Sequence, residues 1–201
     1  MAIVVIDYGM GNLRSVHKAL EHVGLDARVS GEPSEVRNGD KLVLPGVGAC
    51  AHAMAELGVR DLVGPIMEAI EGGRPFLGIC LGMQLLLDVS YEGGESRGLG
   101  VFPGAVRLLE GEGLKVPHIG WNQMEFRADC PIFEGLPQGT HAYFDHSYYA
   151  DPEESDMVAA ETEYGIRFAS ALWRENVYAT QFHPEKSQKW GLKMLENFGR
   201  I

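Results

Sequence analysis

The chain has 201 residues, of which 45% are hydrophobic and 22% charged, and its formal net charge is −11. This length and composition predict one globular domain over residues 1–201, while the acidic balance argues against a nucleic-acid-binding protein, which needs a basic patch. The sequence also argues against a membrane span, because its apolar runs are far shorter than the roughly 18 residues that a spanning helix requires.

The cysteines and the N-terminal run indicate where such a protein works. Cys50, Cys80 and Cys130 are odd in number and form no C-x-x-C pair, so neither a disulfide framework nor a zinc site is expected. The apolar run at residues 2–6 is closed by Asp7 without a basic leader. These features predict a cytoplasmic protein without a metal ion.

The first ninety residues alternate short apolar runs with helical patterns. Residues 2–6 form a β-branched run that is typical of a strand buried on both faces. Apolar residues then recur at helical spacing over residues 13–23, and Gly24 ends the helix. Further strands are predicted at residues 27–29, 41–45 and 75–79, and further helices at residues 51–57, 62–70 and 81–89.

The second half has a different pattern. Residues 98–180 contain short apolar runs separated by turn signals such as Pro-Gly and Asp-Pro, which indicate mixed or antiparallel strands. A closing helix is predicted over residues 187–198, opened by Ser187. Strands that alternate with helices predict an α/β fold with a three-layer, open, mixed but mostly parallel sheet.

Gly78-Ile79-Cys80-Leu81-Gly82 is the cysteine form of the G-x-S-x-G nucleophile elbow. The nucleophile of such an elbow sits on a strained strand-to-helix turn that only small neighbours permit. The start of the following helix places partial positive charge beside the sulfur and favours the thiolate. The motif therefore predicts that Cys80 is a nucleophile, and the alternative is a buried structural cysteine.

A thiolate nucleophile needs a base, and that base needs a group to orient it. His183 stands at the end of a strand-like run, and Glu185 lies two residues further on, across a proline. We therefore predict a Cys80–His183–Glu185 triad. Cys50, at a helix start, and Cys130, in an Asp-Cys-Pro turn, lack such a setting.

Acyl transfer also needs amide groups preset to receive the oxyanion. The amide of Leu81 follows the nucleophile directly and is one candidate. The other is the amide of Val47 in "LPGVG" (residues 44–48), where two glycines free the backbone. An ordinary glycine-rich turn is the alternative interpretation of this loop.

Cofactor binding is not indicated by the glycine patterns. Gly9-Met10-Gly11 follows the first strand, but Arg14 occupies the third glycine position of a dinucleotide fingerprint. A phosphate-binding G-x-x-x-x-G-K-[ST] motif does not occur. We expect a hydrolase or acyl transferase that needs no cofactor.

Together these motifs resemble the class I (triad-type) glutamine amidotransferases over the whole chain. The elbow from Gly78 to Gln84, the loop from Pro45 to Gly48, and His183-Pro-Glu185 carry the resemblance. The strings "DYGMGNLRS" (7–15), "PHIGWN" (117–122) and "HSYY" (146–149) resemble more narrowly the glutaminase subunits of imidazole glycerol phosphate synthases, which act in histidine biosynthesis. The resemblance implies a flavodoxin-like core.

The resemblance also implies a reaction and a partner. Glutamine would be hydrolysed to glutamate and ammonia through a thioester at Cys80. The ammonia would pass to a cyclase subunit with a (β/α)8 barrel, in a heterodimer that makes imidazole glycerol phosphate and an aminoimidazole carboxamide ribotide. The residues that would bind glutamine are Gly48, Gln84, Glu92 and the backbone of Ser147 and Tyr148. The residues that would face the partner are Asn12, Trp121 and Tyr143.

Three alternatives to this function remain open from the sequence. The chain could be a glutaminase for another ammonia-using synthase, which differs only in what the ammonia enters. It could be a stand-alone cysteine hydrolase, which would need no pocket around Gln84. A non-enzymatic regulatory module would not need the triad. For Trp121, the alternative to a partner contact is core packing.

Overall fold

The computed structural model describes residues 2–111 and 113–201. Within these residues the strands are β1 (Ile3–Ile6), β2 (Ala27–Ser30), β3 (Lys41–Gly46), β4 (Phe76–Cys80), β5 (Leu87–Ser90), β6 (Ser96–Arg97), β7 (Phe102–Leu108), β8 (His118–Gln123), β9 (Glu125–Phe126), β10 (His141–His146), β11 (Tyr148–Pro152), β12 (Val158–Tyr164), β13 (Ile166–Arg174) and β14 (Val177–Thr180).

The α-helices are α1 (Leu13–His22), α2 (Pro33–Asn38), α3 (Cys50–Val59), α4 (Val63–Glu71), α5 (Leu81–Gln84) and α6 (Gln188–Arg200), and short 3-10 turns cover Pro131–Phe133, Ser155–Met157 and Pro184–Lys186. Among the described residues, every helix falls short of the length and apolarity that crossing a bilayer requires.

A large mixed sheet organises the fold. One half is parallel, in the order β2-β1-β3-β4-β14. The other half continues as β13-β11-β7-β5-β6 and is mostly antiparallel; β12 pairs with β13, and β9 pairs with β12. Strands β8 and β10 form a separate antiparallel ribbon. This architecture confirms the predicted fold class.

Both faces of the parallel half are covered, which explains its continuous apolar runs. In β1, Val4 and Ile6 belong to one hydrophobic cluster, whereas Ile3 and Val5 belong to the other. Successive side chains of a strand point to opposite faces, so a strand between two apolar layers needs apolar residues at every position.

The carboxyl ends of β3, β4 and β14 meet at one edge of the sheet. The three strands are parallel neighbours, and Gly46 at the end of β3 pairs with Cys80 at the end of β4. His183 follows the end of β14. The loop after β3, the elbow and the histidine are thus brought together by the sheet, at the edge where open α/β sheets place their ligands.

One predicted element is wrong in part. The helix expected over residues 81–89 ends after Gln84, and β5 (Leu87–Ser90) follows. Leu85, Leu86 and Leu87 are all buried, so the run has no polar face to distinguish a helix from a strand. The strand is decided by its pairing with β7, which comes later in the chain. The prediction also omitted α2, a short helix that begins at Pro33.

Candidate active site

Cys80 lies on a strained turn between β4 and α5. Its backbone angles are φ 55° and ψ −108°, a region that residues other than glycine rarely adopt. Such strain persists only where the surrounding structure enforces it, and it is the geometry of a nucleophile elbow. The structure therefore contains the elbow that the sequence predicts.

The two glycines of the elbow are required for space. A Cβ atom on Gly82 would collide with the carbonyl oxygen of Leu44 in β3, and one on Gly78 would lie 2.7 Å from the carbonyl oxygen of Gly82. Both clashes are with backbone atoms, which cannot move aside as a flexible side chain can. The turn at Cys80 therefore depends on close backbone packing.

We expect Gly82→Ala to lower the free energy of unfolding by about 3 kcal/mol or more, because the added methyl group would force β3 and the elbow apart. Gly58→Ala is the matched control, since a Cβ atom at Gly58 in α3 meets open space. This control should gain up to about 1 kcal/mol. Denaturant unfolding measures both values, and equal stability of the two variants would contradict the packing argument.

His183 and Glu185 form a buried pair next to the elbow. Nδ1 of His183 lies 2.8 Å from Oε1 of Glu185, and the two side chains are 3% and 1% exposed. The turn Pro184–Lys186 holds the carboxylate two residues beyond the ring. Because Nδ1 faces Glu185, the other ring nitrogen, Nε2, is the one free to exchange a proton with Cys80 or with a substrate.

The protonation of His183 follows from its neighbours. Burial by itself would lower the pKa of the imidazole, because it penalises the charged ring. The hydrogen bonds with Cys80 and Glu185, and the charges of both groups, outweigh burial and raise the pKa of His183 to about 10. The protonated ring places a positive charge close to the sulfur of Cys80, which is the setting in which reactive cysteines are found.

The backbone of His183 is fixed by Ser187 and by strand β10. Its N–H donates to the carbonyl oxygen of Tyr143 at 2.9 Å, and its own carbonyl oxygen accepts from the hydroxyl of Ser187 at 2.6 Å. The same hydroxyl accepts from the N–H of Tyr143 at 2.9 Å. Ser187 precedes α6 as predicted, but its hydroxyl positions the histidine instead of capping the helix.

The loop after β3 lies beside the elbow, as predicted for Val47 and Leu81. Leu81 opens α5, and Val47 directly follows Gly46, the register partner of Cys80. The two glycines differ, however, from the prediction that both free the backbone. Gly46 is a buried strand residue whose added Cβ atom would collide with the hydroxyl of Tyr8, and only Gly48 has a positive φ, of 102°.

A cavity of about 440 Å³ opens beside Cys80, within the size range of small-molecule sites. It brings together all of the predicted oxyanion and glutamine-binding residues: Val47, Gly48, Leu81, Gln84, Glu92, Ser147 and Tyr148. Four further residues line it that the sequence did not single out: Ala49, Pro117, Asp145 and His146.

Gln84 and Glu92 are held by groups around this cavity. The side-chain amide of Gln84 donates to the carbonyl oxygen of Tyr148 at 2.9 Å and to Oε1 of Gln181 at 3.1 Å. Glu92 accepts from the backbone N–H of Cys50 at 2.9 Å, at the start of α3. Both side chains therefore tie separate elements together at the cavity wall.

Gln181 is a site residue that the sequence reasoning missed. It is fully buried, and its amide lies 3.8 Å from the sulfur of Cys80 while its oxygen accepts from Gln84. The available signal was a glutamine within the apolar run "VYATQF", two residues before His183. A buried amide needs hydrogen-bond partners, so such a position indicates a polar network.

The other two cysteines have settings unlike that of Cys80. Burial raises the pKa of the Cys50 thiol to about 11 and that of the Cys130 thiol to about 12. Cys50 begins α3, and Cys130 precedes the turn Pro131–Phe133, both as predicted. Both thiols are protonated at neutral pH and are poor nucleophiles.

The predicted partner-facing residues do not lie in the cavity. Asn12 is exposed just before α1, and Trp121 and Tyr143 face each other across the β8–β10 ribbon with ring centroids 6.1 Å apart. Trp121 is 47% exposed. The alternative of core packing for Trp121 is therefore excluded.

Comparison with known proteins gives a consistent family. The family model of glutamine amidotransferase class-I matches residues 4–200. A relative from Aquifex aeolicus is 56% identical, covering 100% of this chain and 97% of its own, and one from Syntrophotalea carbinolica is 55% identical, covering 98% of both. Each of these two relatives is an imidazole glycerol phosphate synthase subunit HisH.

Solved structures share the fold. A glutamine amidotransferase crystal structure superimposes with a TM-score of 0.78 at 19% identity, covering 99% of both chains. The PurLQS structure from Thermotoga maritima gives a TM-score of 0.77 at 19% identity, covering 98% of this chain and 96% of the other.

Proposed function

Because the chain belongs to the class I glutamine amidotransferases, we propose that it is the glutaminase subunit of an imidazole glycerol phosphate synthase, an enzyme of histidine biosynthesis. It hydrolyses L-glutamine to glutamate and ammonia. One observation carries the role of the site: Cys80, on its strained elbow beside the buried His183–Glu185 pair, borders a cavity lined by every residue that the sequence assigns to glutamine and the oxyanion.

The proposed reaction proceeds in two halves. The thiolate of Cys80 attacks the side-chain carboxamide carbon of glutamine, and the N–H groups of Val47 and Leu81 receive the negative charge that develops on oxygen. The C–N bond then breaks as His183 gives its proton to the leaving nitrogen, which departs as ammonia. Water attacks the resulting thioester while His183 accepts a proton, and the C–S bond breaks to release glutamate.

The relatives are named as subunits, so this chain works with a partner subunit. We propose that the partner is a cyclase with a (β/α)8 barrel and that the two form a heterodimer. The β8–β10 ribbon supports an interface there, because Ile119 and Trp121 are 59% and 47% exposed at alternate positions of β8. Asn12 and Tyr143 are the other proposed contacts.

The partner surface gives a direct prediction. We expect Trp121→Ala to weaken cyclase binding by about 10- to 100-fold, because an exposed tryptophan at an interface is a frequent source of binding energy. Val59→Ala is the control, since Val59 is an apolar side chain of α3 with 81% exposure. Titration calorimetry measures both affinities, and equal affinity of the two variants would remove Trp121 from the interface.

The function itself is tested by reconstitution. Glutamate release is measured for the chain alone, with the cyclase, and with the cyclase and its phosphoribosyl-carboxamide nucleotide, together with imidazole glycerol phosphate formation. We propose that the N–H of Val47, next to the flexible Gly48, points away from the oxyanion position until the partner binds. Because one missing donor costs about 100-fold or more in rate, the isolated chain should be slower than the complete mixture by at least that factor. A complex that makes imidazole glycerol phosphate from added ammonia but not from glutamine would contradict the proposal.

The proposal has two further parts. We propose that residues 1–201 form one domain, which agrees with a family match over residues 4–200. We also propose that the protein works in the cytoplasm, where reducing conditions keep the Cys80 thiolate free.

A further inference from the structure

Two buried histidines join the cavity beside Cys80 to the β8–β10 ribbon. Nδ1 of His118, at the start of β8, lies 3.1 Å from Nε2 of His146, at the end of β10. Each ring also has a second hydrogen-bond partner. Asn122 meets Nε2 of His118 at 3.3 Å, and Nδ1 of His146 lies 2.8 Å from the carbonyl oxygen of Tyr148.

The direction of these hydrogen bonds follows from the Asn122 end. The oxygen of its side-chain amide accepts from the N–H of Gln123 at 2.8 Å, and its nitrogen donates to the carbonyl oxygen of Glu163 at 3.0 Å. These two backbone groups fix which side of the amide is nitrogen. Because that nitrogen faces Nε2 of His118, this ring atom must accept, and the proton of the neutral ring is on Nδ1.

The Tyr148 end gives the same direction independently. A carbonyl oxygen only accepts, so Nδ1 of His146 carries a proton. In the neutral ring Nε2 then accepts, and it faces the Nδ1–H of His118. The hydrogen bonds therefore all point in one direction, from Asn122 through His118 and His146 to Tyr148, and each donor has an acceptor.

The surroundings keep both rings neutral and in place. His118 is stacked between Tyr164 and Phe144, with ring centroids 3.9 Å and 4.8 Å away. Burial lowers the pKa of His118 to about 4. For His146, burial is again the largest cause and, with the nearby His118 and His183, lowers the pKa to about 3. Neither ring is charged at neutral pH.

This series of hydrogen bonds ends on the wall of the cavity beside Cys80. The carbonyl oxygen of Tyr148 accepts from His146 and also from Gln84, and His146 and Tyr148 both line the cavity. The other end belongs to strand β8, whose exposed residues Ile119 and Trp121 form the proposed partner surface.

We propose that His118 and His146 are positioning residues for glutamine: they hold the Ser147–Tyr148 backbone at the cavity wall and fix it to strand β8. The proposal rests on the proposed function, since it concerns the same site. Through these hydrogen bonds, a displacement of β8 would shift the Ser147–Tyr148 backbone at the cavity wall.

Two substitutions at His146 separate its two hydrogen bonds. His146→Asn places an amide nitrogen where Nδ1 was and keeps the donor to Tyr148, whereas His146→Gln places an oxygen where Nε2 was and loses that donor. Loss of one buried hydrogen bond predicts that His146→Gln raises KM for glutamine about tenfold, with a smaller change in kcat. His146→Asn should stay within about threefold of the parent.

His118→Phe removes both hydrogen bonds of that ring while keeping its stacking. It should raise KM only about threefold, like His146→Asn, because His118 acts on the Tyr148 carbonyl only through His146, whose donor remains. His22→Asn is the control, since His22 is exposed at the end of α1. All variants are assayed in the complex with the cyclase. Equal KM values for His146→Asn and His146→Gln in an active complex would overturn the proposal and leave the proposed function standing.

A second measurement does not depend on activity. Nitrogen-15 NMR of the histidine-labelled chain should show two neutral rings with the proton on Nδ1 at pH 7 and at pH 5.5, assigned by their loss in the His118 and His146 variants. A proton on Nε2 of either ring, or a charged ring at pH 7, would overturn the proposal. A wild-type complex without glutaminase activity would instead overturn the proposed function.

Discussion

Cys80→Ala is expected to lower the rate of glutamine hydrolysis by roughly 10⁴- to 10⁶-fold, because it removes the atom that forms the thioester. The cavity beside Cys80 remains lined by the same residues, so the variant should still bind glutamine. Steady-state glutamate release gives the rate, and glutamine titration of the inactive variant gives the binding. A variant that keeps a tenth of the parent rate would exclude Cys80 as the nucleophile.

Selective labelling tests the same assignment in the unmodified chain. A glutamine analogue that carries an electrophile should attach to Cys80 alone, because the thiols of Cys50 and Cys130 are kept protonated by burial. Mass spectrometry of peptides locates the label. Cys130→Ala is the control variant and should keep its label at Cys80, whereas labelling mainly at Cys50 would point to a different nucleophile.

The second large effect is expected at His183. His183→Ala removes the group that transfers protons in both halves of the reaction, and kcat should fall on the order of 10⁶-fold. Glu185→Gln leaves the ring in place and removes only the charge that orients it. Its loss of kcat should be smaller by about one to two orders of magnitude. If Glu185→Gln were as inactive as His183→Ala, this division of roles between the two residues would be refuted.

The pH dependence of kcat/KM tests the role of Glu185 in a second way. The hydrogen bond and charge of Glu185 contribute to the raised pKa of His183, so Glu185→Gln should lower that pKa. Once His183 has lost its proton, it can no longer donate one to the leaving nitrogen. The alkaline limb of kcat/KM should therefore move to lower pH in Glu185→Gln, and a limb that moves to higher pH would contradict the assignment.

The sequence was sufficient for the parallel half of the fold. Continuous β-branched runs such as residues 2–6 predict strands buried on both faces, and the helices between them have clear apolar periodicity. The pattern of residues 81–89 was not sufficient. Three consecutive buried leucines are compatible with a helix or a strand, and β5 forms because β7, later in the chain, offers a parallel partner.

The candidate site also contains residues that the local sequence predicts and residues that it does not. Gly78-Ile79-Cys80-Leu81-Gly82 predicts the elbow because a strained turn between closely packed backbones requires small residues at fixed positions, which is a local constraint. The pairing of His183 with Glu185 is also local, since the two residues are two positions apart. His146 carries no such local signal, and Gln181 carries only that of a polar residue within an apolar run. The meeting of distant strands places His146 at the cavity and Gln181 against Cys80 and Gln84.

By itself, therefore, the sequence determined the fold class, the strand-to-helix elbow at Cys80 and the His183–Glu185 pair, because each depends on periodicity or on neighbours in the chain. The tertiary structure decided the roles of Ser187 and Gly46, the end of α5 and the paired histidines His118 and His146. Those features depend on contacts between segments far apart in sequence, where burial removes water and leaves each polar group to a partner that no local pattern specifies.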